Sequence, residues 1–259
     1  MAGTVTATVV QGVAQVSIDN PGKFNAMSRA MWRKLKSVFT DIQDHAEVRC
    51  VVVRGRGGHF CAGGDITEYP DFRFDSAQLR DFHDNDVWGG LAAILGCDVP
   101  VLACIEGNCM GAGVEIASCC DMRIASECAR FGAPIARLGF PMAPREAALV
   151  VRVMGELTAR EMLLAAVILD APEMRLRGCL NQVTTAAGLE AAVAARVECI
   201  SGLAPKATRL NKQVFRALAL VDIESLAPDL IVNAYQYANS DEHREGIAAF
   251  LEKRPPRFG

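Results

Sequence analysis

Two short segments of glycine and alanine each follow, within ten residues, a run of apolar residues. Residues 62–64 read Ala-Gly-Gly after the apolar run 50–53, and residues 111–113 read Gly-Ala-Gly after the run 101–105. Small residues let a ligand oxygen approach the backbone, and N–H groups at a helix start are free to donate hydrogen bonds to a developing negative charge. The two segments could together form one oxyanion hole. Ordinary tight turns have the same spacing, so both interpretations stay open.

The second segment excludes two common nucleotide-binding motifs. Val114 and Glu115 stand where a phosphate-binding loop needs a lysine followed by serine or threonine. The glycine spacing also differs from the fingerprint of dinucleotide-binding folds. Neither motif is therefore predicted here.

Glu115 follows the second glycine-rich segment directly, in the first turn of a predicted helix of mostly apolar residues. A carboxyl in apolar surroundings has a raised pKa, which suits an acid or base near neutrality. A solvated residue favoured by the helix dipole is the alternative. The sequence leaves the two interpretations open.

The surrounding residues predict strands that alternate with helices. Residues 4–18 alternate between apolar and polar types, which predicts an antiparallel hairpin with its turn at 11–12. Ser28 is placed to cap a helix whose apolar residues recur at spacings of three and four. A buried strand at 49–53 follows, and from residue 87 helices and strands alternate again. This order is typical of an α/β fold with parallel strand pairing.

Two stretches have a different character. Residues 70–85 are polar and aromatic without a clean period, so we expect a mobile surface segment. Beyond about residue 155 the chain is rich in alanine and reads as helical almost throughout. We place a boundary near residue 200, which separates a core of residues 1–200 from a C-terminal helical region of residues 201–259.

The composition is that of a globular protein. The chain has 259 residues, of which 51% are hydrophobic, and its net charge of −3 gives no basic field for nucleic acid or an anionic membrane. No apolar stretch approaches the roughly 20 residues of a membrane span. The N-terminal residues do not resemble a targeting peptide, so we expect a cytoplasmic protein. The ten cysteines lack the paired spacing of zinc ligands, and we expect buried thiols and no metal site.

Five segments, in order along nearly the whole chain, resemble the crotonase (enoyl-CoA hydratase/isomerase) superfamily. They are Asp19 to Met27, Phe60 to Ile66, Gly111 to Ala117 with Cys120-Asp121, Phe131 to Pro134, and Glu245 to Arg254. The resemblance implies an α/β spiral of ββα turns and a C-terminal helical region for oligomerisation. It also implies homotrimers or dimers of trimers that act on acyl-CoA. Coenzyme A is then part of the substrate, and no separate cofactor is expected.

The resemblance also assigns roles to individual residues. Members of the family polarise the thioester carbonyl, and so stabilise an enolate, with two backbone N–H groups that fall here on Gly64 and Ala112. The residues that it places against CoA are Lys23, Phe24, Ala62, Ile66 and, from an adjacent subunit, Phe250 and Lys253.

The sequence departs from the hydratase pattern at one catalytic position. Hydratases of this family use two glutamates that flank a water, and Glu115 occupies the first position while Ile135 occupies the second. Isoleucine cannot transfer a proton, so the two-carboxylate mechanism is incomplete. Glu146 is a candidate for the missing second acid. We favour a structural role for it, as a residue at the start of a helix that the helix dipole stabilises. Ile135, Phe140 and Met142 predict an apolar acyl pocket.

Other polar residues give weaker signals. Of the four histidines, only His59 is close to a proposed site. For Arg137 we favour an ion pair over contact with an acyl carboxylate. The resemblance to the crotonase superfamily, in which hydration is the dominant activity, favours hydration of a 2-enoyl-CoA. Isomerisation or decarboxylation through the single carboxylate of Glu115 is the alternative, and a CoA-ester-binding protein without turnover is a third hypothesis.

Overall fold

The computed structural model describes residues 2–218, 233 and 235–257. Its strands are β1 (Thr4–Val10), β2 (Val13–Asp19), β3 (Cys50–Gly55), β4 (Val101–Ile105), β5 (Asn108–Met110), β6 (Met122–Ser126), β7 (Arg130–Gly132), β8 (Ile168–Asp170) and β9 (Gln182–Thr184). Its helices are α1 (Arg29–Asp44), α2 (Ser76–Asp81), α3 (Trp88–Gly96), α4 (Ala112–Cys119), α5 (Pro144–Met154), α6 (Glu156–Leu164), α7 (Ala171–Leu176), α8 (Leu189–Ser201), α9 (Pro205–Leu218) and α10 (Asp241–Leu251). Short 3-10 helices span Ile66–Asp71, Ile135–Leu138, Ala186–Gly188 and Gln236–Asn239, and a π-helical segment spans Phe82–Val87.

The strands form two sheets. The larger has the order β1-β2-β3-β4-β6-β9 and is antiparallel only between β1 and β2. The smaller has the order β5-β7-β8. Strand β4 is buried along its whole length, as expected of a central parallel strand covered by helices. The predicted α/β fold with parallel pairing is confirmed.

Local sequence signals explain the first elements. Val10 pairs with Val13 across a turn in which Gln11 and Gly12 have positive φ. Ser28 caps α1 by accepting a hydrogen bond from the Met31 N–H at 3.2 Å. The apolar positions predicted for this helix are all buried: Met31, Leu35, Val38, Phe39 and Ile42. The predicted hairpin and helix are therefore confirmed.

The prediction of a surface segment at 70–85 is correct for only part of the stretch, which contains α2 and parts of two other short helices. Eight of its sixteen residues are exposed, but four large side chains are buried: Phe72, Arg73, Leu79 and Phe82. The expected mobility stays a prediction. Asp65 and Asp75 cap two of these helices by accepting hydrogen bonds from the N–H groups of Thr67 and Ala77. Successive short helices of different pitch do not repeat every 3.6 residues, so the buried positions show no single period.

The two glycine-rich segments lie side by side. Cys61 donates its N–H to the Asn108 carbonyl at 2.9 Å and accepts from the Met110 N–H at 2.9 Å, which pairs Cys61 with Cys109 in a parallel bridge. A Cβ atom added at Gly113 would lie 2.6 Å from the Cys61 carbonyl oxygen. Helix α4 can begin this close to the first segment only because residue 113 is glycine.

The C-terminal helices contact the core through both charge and close packing. Lys212 of α9 donates to the Val99 carbonyl at 2.9 Å and pairs with Asp121 at 2.7 Å. Helix α10 lies against the 135–138 helix, where Gly139 and Gly246 leave no room for a side chain. The boundary near residue 200 stays a prediction. Part of the C-terminal region, residues 219–232, 234 and 258–259, lies outside the described residues.

All ten cysteines lie in the described part of the chain as free thiols, and eight are buried. Burial raises the pKa of Cys61 and of Cys120 to about 12, so these thiols stay protonated near neutrality. The prediction that most cysteines are buried thiols is confirmed. Within the described residues, no helix has the length and apolarity needed to cross a bilayer.

Gly113→Ala should destabilise the protein by roughly 1–3 kcal/mol, because the added methyl group collides with the Cys61 carbonyl and displaces α4. Gly96→Ala is the matched control, since a Cβ added at this other helical glycine meets no atom within 4 Å. Urea unfolding measures the difference. Equal midpoints for both variants would contradict the close packing of the two segments.

Candidate active site

Two backbone N–H groups beside the paired segments have no hydrogen-bond partner among the described residues. One belongs to Gly64. The other belongs to Ala112, which begins α4 after Gly111 (φ +47°), where no side chain caps the helix. The first N–H groups of a helix lack intrahelical acceptors and carry the positive end of its dipole. Gly64 and Ala112 lie three residues beyond the paired Cys61 and Cys109, and they line the same cavity.

The cavity beside the two segments has a volume of about 550 Å³ and a mainly apolar wall. The wall comes from the two glycine-rich segments, the 66–71 helix, residues 134–143 and α10. The residues predicted for an acyl pocket all line it: Ile135, Phe140 and Met142. Its size and apolar character suit an acyl chain.

Glu115 lines this cavity from the first turn of α4. Burial, reinforced by the negative charge of Glu146 and opposed by the Arg73 guanidinium, raises the pKa of Glu115 to about 8. The carboxyl is therefore mostly protonated at pH 7 and can exchange a proton near neutrality. The sequence left open whether Glu115 is solvated or lies in apolar surroundings. The structure supports the second interpretation.

Glu146 lies in the first turn of α5, as predicted, but it is also part of a buried pair. Its side chain is 3% exposed, and its Oε1 is 3.0 Å from Nδ1 of His83. The His83 ring stacks on Tyr235, and its Nε2 is buried without a hydrogen-bond partner among the described residues. His83 also lines the cavity. The expectation that only His59 lies near the site is therefore wrong.

Two further cavity residues, Tyr69 and Arg73, were not identified from the sequence. Arg73 is 1% exposed, and its guanidinium carbon lies 4.4 Å from the ring centroid of Tyr69 and 4.0 Å from that of Phe140. The available signal was the aromatic content of residues 69–82, because large aromatic residues are rarely gathered in a solvated segment.

The residues predicted near CoA from the N-terminal half of the chain line the cavity. Lys23 Nζ is 2.6 Å from Asp65 Oδ2 and 2.8 Å from Thr67 Oγ1. Burial alone would raise the pKa of Asp65. The hydrogen bonds from Lys23 and Thr67 have the larger combined effect, so the pKa of Asp65 lies below its usual range. The lining residues of this group are Lys23, Phe24, Ala62 and Ile66. Their contact with CoA stays a prediction.

Phe250 and Lys253 lie at the end of α10 and just beyond it. Phe250 lines the cavity of its own chain, whereas Lys253 is exposed and is not part of the cavity wall. Their contact with CoA of an adjacent subunit stays a prediction. Arg137 forms no ion pair with the described residues, contrary to expectation, and its Nη2 instead donates to the Ala166 carbonyl at 3.3 Å.

The described residues contain no group of three or more His, Cys, Asp or Glu that could hold a metal ion. The chemistry that these side chains can supply is proton transfer at Glu115, together with hydrogen bonding from two backbone N–H groups. This combination suits reactions in which negative charge develops on a carbonyl oxygen.

Comparison with known sequences agrees with this arrangement. Residues 8–259 match the family model described as enoyl-CoA hydratase/isomerase. A Mycobacterium bovis protein named "Probable enoyl-CoA hydratase" is 30% identical over 249 residues, which cover 96% of this chain and 95% of that protein. A mevalonyl-coenzyme A hydratase of Beauveria bassiana is 28% identical, with coverage of 94% and 90%.

Solved structures show the same fold. A methylmalonyl-CoA decarboxylase in complex with 2-nitronate-propionyl-CoA has a TM-score of 0.87 and 25% identity, with coverage of 100% of this chain and 99% of that one. An enoyl-CoA hydratase/carnithine racemase from Magnetospirillum magneticum has a TM-score of 0.81 and 32% identity, with coverage of 98% and 95%. The implied crotonase fold is thereby confirmed, and the chain belongs to the enoyl-CoA hydratase/isomerase family.

Proposed function

We propose that the protein adds water to the double bond of a 2-enoyl-CoA thioester. The observation that carries this proposal is the position of Glu115, whose pKa is about 8, in the cavity that Gly64 and Ala112 also line. Membership of the enoyl-CoA hydratase/isomerase family supports it.

The N–H groups of Gly64 and Ala112 would polarise the thioester. Both are free to donate to its carbonyl oxygen, and negative charge gathers on that oxygen when a nucleophile adds at C3. The N-terminus of α4 adds a favourable dipole at the same place. Apolar neighbours such as Ile135 and Met142 reduce the local dielectric constant and strengthen these interactions.

Glu115 alone could carry the proton through the whole reaction. As a carboxylate it removes a proton from water while the water oxygen bonds to C3, and the electron pair of the double bond moves through C2 onto the thioester oxygen. The protonated Glu115 then returns this proton to C2, which completes the addition and regenerates the carboxylate. A pKa near 8 suits both steps, so no acid is needed at Ile135.

Glu146 and His83 would act as positioning residues. The negative charge of Glu146 opposes ionisation of Glu115 and so keeps its pKa high. The hydrogen bond to His83 fixes the Glu146 carboxyl in its buried place. This gives Glu146 a role in tuning Glu115 without contact with the substrate.

Decarboxylation of a 2-carboxyacyl-CoA is the second candidate, and the likeness to methylmalonyl-CoA decarboxylase at a TM-score of 0.87 favours it. The carboxylate would leave as CO₂, its bonding electron pair would form the enolate, and protonated Glu115 would protonate C2. The oxyanion hole serves both reactions. Release of CO₂ from methylmalonyl-CoA, without hydration of crotonyl-CoA, would favour decarboxylation.

We also infer a homotrimer or dimer of trimers that acts in the cytoplasm, with coenzyme A as part of its substrate and no separate cofactor.

Helix α9 supports self-association, because Lys212 holds one side to the core while an apolar stripe on α9 is exposed in the single chain. The stripe consists of Leu210, Val214, Phe215 and Leu218.

Glu115→Gln should reduce crotonyl-CoA hydration by about 100-fold or more, because an amide cannot exchange the proton, and should leave the Kd of CoA esters within a few-fold. For the wild type, kcat/KM should rise with pH to a plateau above about 8, because the ionised carboxyl starts the reaction. Loss of the enoyl absorbance measures both. Exposed Glu127 provides the control variant Glu127→Gln.

Full turnover by Glu115→Gln would remove this residue from the mechanism. Binding of crotonyl-CoA by the wild type without any loss of absorbance would instead indicate a CoA-ester-binding protein.

Glu146→Gln should shift the rise of kcat/KM toward lower pH. Removing the negative charge of Glu146 lowers the pKa of Glu115, so the carboxylate forms at lower pH. The plateau rate should stay within roughly tenfold, because Glu115 remains in place. Loss of activity at every pH would show that Glu146 is itself the second acid.

Ala112→Pro should lower kcat by roughly 100-fold or more, since it removes one donor of the proposed oxyanion hole. Proline is tolerated at the first position of a helix, where Ala112 lies, so the fold should survive. Ala112→Ser keeps the N–H and is the control. Unchanged turnover in a folded Ala112→Pro protein would exclude this donor.

A further inference from the structure

A positive charge lies in the apolar wall of the cavity. Arg73 lines the cavity, is almost completely buried and stacks against the rings of Tyr69 and Phe140. Stacking on aromatic rings holds a guanidinium in place but does not neutralise it. Burying a cation in this way costs free energy unless an anion accompanies it.

The hydrogen-bond partners of Arg73 are neutral groups. Its Nε donates to Nε2 of His243 at 3.5 Å, and its Nη2 donates to the Tyr237 hydroxyl at 3.2 Å. His243 Nδ1 is 3.0 Å from the Ala238 carbonyl, and burial lowers the pKa of His243 to about 4, so this ring is neutral at pH 7. Its Nε2 is then the acceptor.

No carboxylate pairs with Arg73 in the part of the chain that the structure describes, and its Nη1 has no hydrogen-bond partner there. Of the other charged residues that line the cavity, Lys23 pairs with Asp65. Arg137 also lines it, but its side chain is exposed and its Nη2 donates to the Ala166 carbonyl. Glu146, which is not part of the cavity wall, pairs with His83. Glu115 is mostly protonated at pH 7 and so leaves the charge of Arg73 largely uncompensated.

We propose that Arg73 binds a carboxylate on the acyl chain, so that the preferred substrates are CoA monothioesters of dicarboxylic acids. This inference rests on the proposed function, because it takes the thioester end to lie at Gly64 and Ala112. A guanidinium forms charge-assisted hydrogen bonds with a carboxylate, and Nη1, which has no partner in the described part of the chain, is available for one of them. Such an anion neutralises the buried cation, which an uncharged acyl chain cannot do.

The affinities of the wild-type protein for saturated CoA thioesters test this proposal, because saturated thioesters bind without being hydrated. Succinyl-, glutaryl- and adipyl-CoA are each compared, by titration calorimetry, with the matching thioester in which an isopropyl group replaces the terminal carboxylate. At least one diacid thioester should bind about tenfold to 100-fold more tightly than its uncharged counterpart. Equal or weaker binding of all three diacid thioesters would overturn the proposal.

Variants of Arg73 separate recognition from a structural role. Arg73→Met should abolish the preference for the diacid thioester, whereas Arg73→Lys should keep part of it because the charge remains. Arg160→Met is the control, since Arg160 is exposed on α6 and pairs with Glu156. If Arg73→Met weakened charged and uncharged thioesters equally, Arg73 would be structural only and the proposal would be wrong.

Hydration assays with crotonyl-CoA and with glutaconyl-CoA, a 2-enoyl thioester that ends in a carboxylate, distinguish the two proposals in the same wild-type preparation. Hydration of either thioester without any preference for a diacid thioester in binding would overturn the role of Arg73 and leave the proposed reaction standing. A binding preference that Arg73→Met removes, in a protein that hydrates neither thioester, would support the role of Arg73 and overturn the reaction.

Discussion

Backbone hydrogen bonds between the two glycine-rich segments position the rest of the site. The Cys61 and Met110 N–H groups are used in this pairing, while those of Gly64 and Ala112 have no partner among the residues that the structure describes and lie beside a cavity. Buried backbone N–H groups in proteins are nearly always paired, so two free ones at one place are suited to an oxygen atom supplied by a ligand. Gly113 makes this arrangement possible because it lets α4 begin against the first segment.

Three ionisable side chains in and beside the apolar cavity influence one another: Glu115, Glu146 and Arg73. Glu115 is kept mostly protonated by burial and by the charge of Glu146, while Arg73 acts in the opposite direction. Interactions between such groups are stronger where the surroundings are apolar than they are in water. A bound acyl chain that carries its own charge would therefore change the protonation of Glu115 as well as its own affinity. If Arg73 binds such a chain, electrostatics would couple the choice of substrate to proton transfer at Glu115.

The C-terminal part of the chain completes the wall of the site in addition to any role in assembly. Tyr235 stacks on His83, while Tyr237 and His243 accept hydrogen bonds from Arg73. Phe250 of α10 lines the cavity itself. Two of the residues that set the electrostatics of the site are thus held in place by segments far along the chain. A truncation that removed α10 would alter the cavity even if the sheets folded.

The sequence by itself determined the features that depend on neighbouring residues. Alternation predicts the first hairpin, and apolar spacing together with Ser28 predicts α1. The two glycine-rich segments with Glu115 predict the candidate site, and the structure places them beside one cavity. The five family segments extended this to the whole fold, because their order along the chain is specific. Each of these signals can be read within a stretch of sequence, since strand and helix periods and caps are local properties.

Only the tertiary structure decided which distant residues share the cavity. His83 and Glu146 are 63 residues apart, and Arg73 and His243 are 170 residues apart, yet both pairs are in contact beside the site. The pattern of residues 70–85 has no single period and predicted a surface segment, yet Phe72, Arg73, Leu79 and Phe82 within it are buried. The C-terminal segments contribute to this burial, since Arg73 donates hydrogen bonds to His243 and Tyr237. Burial and pKa depend on all the elements that surround a side chain, so they follow from packing and not from the local pattern.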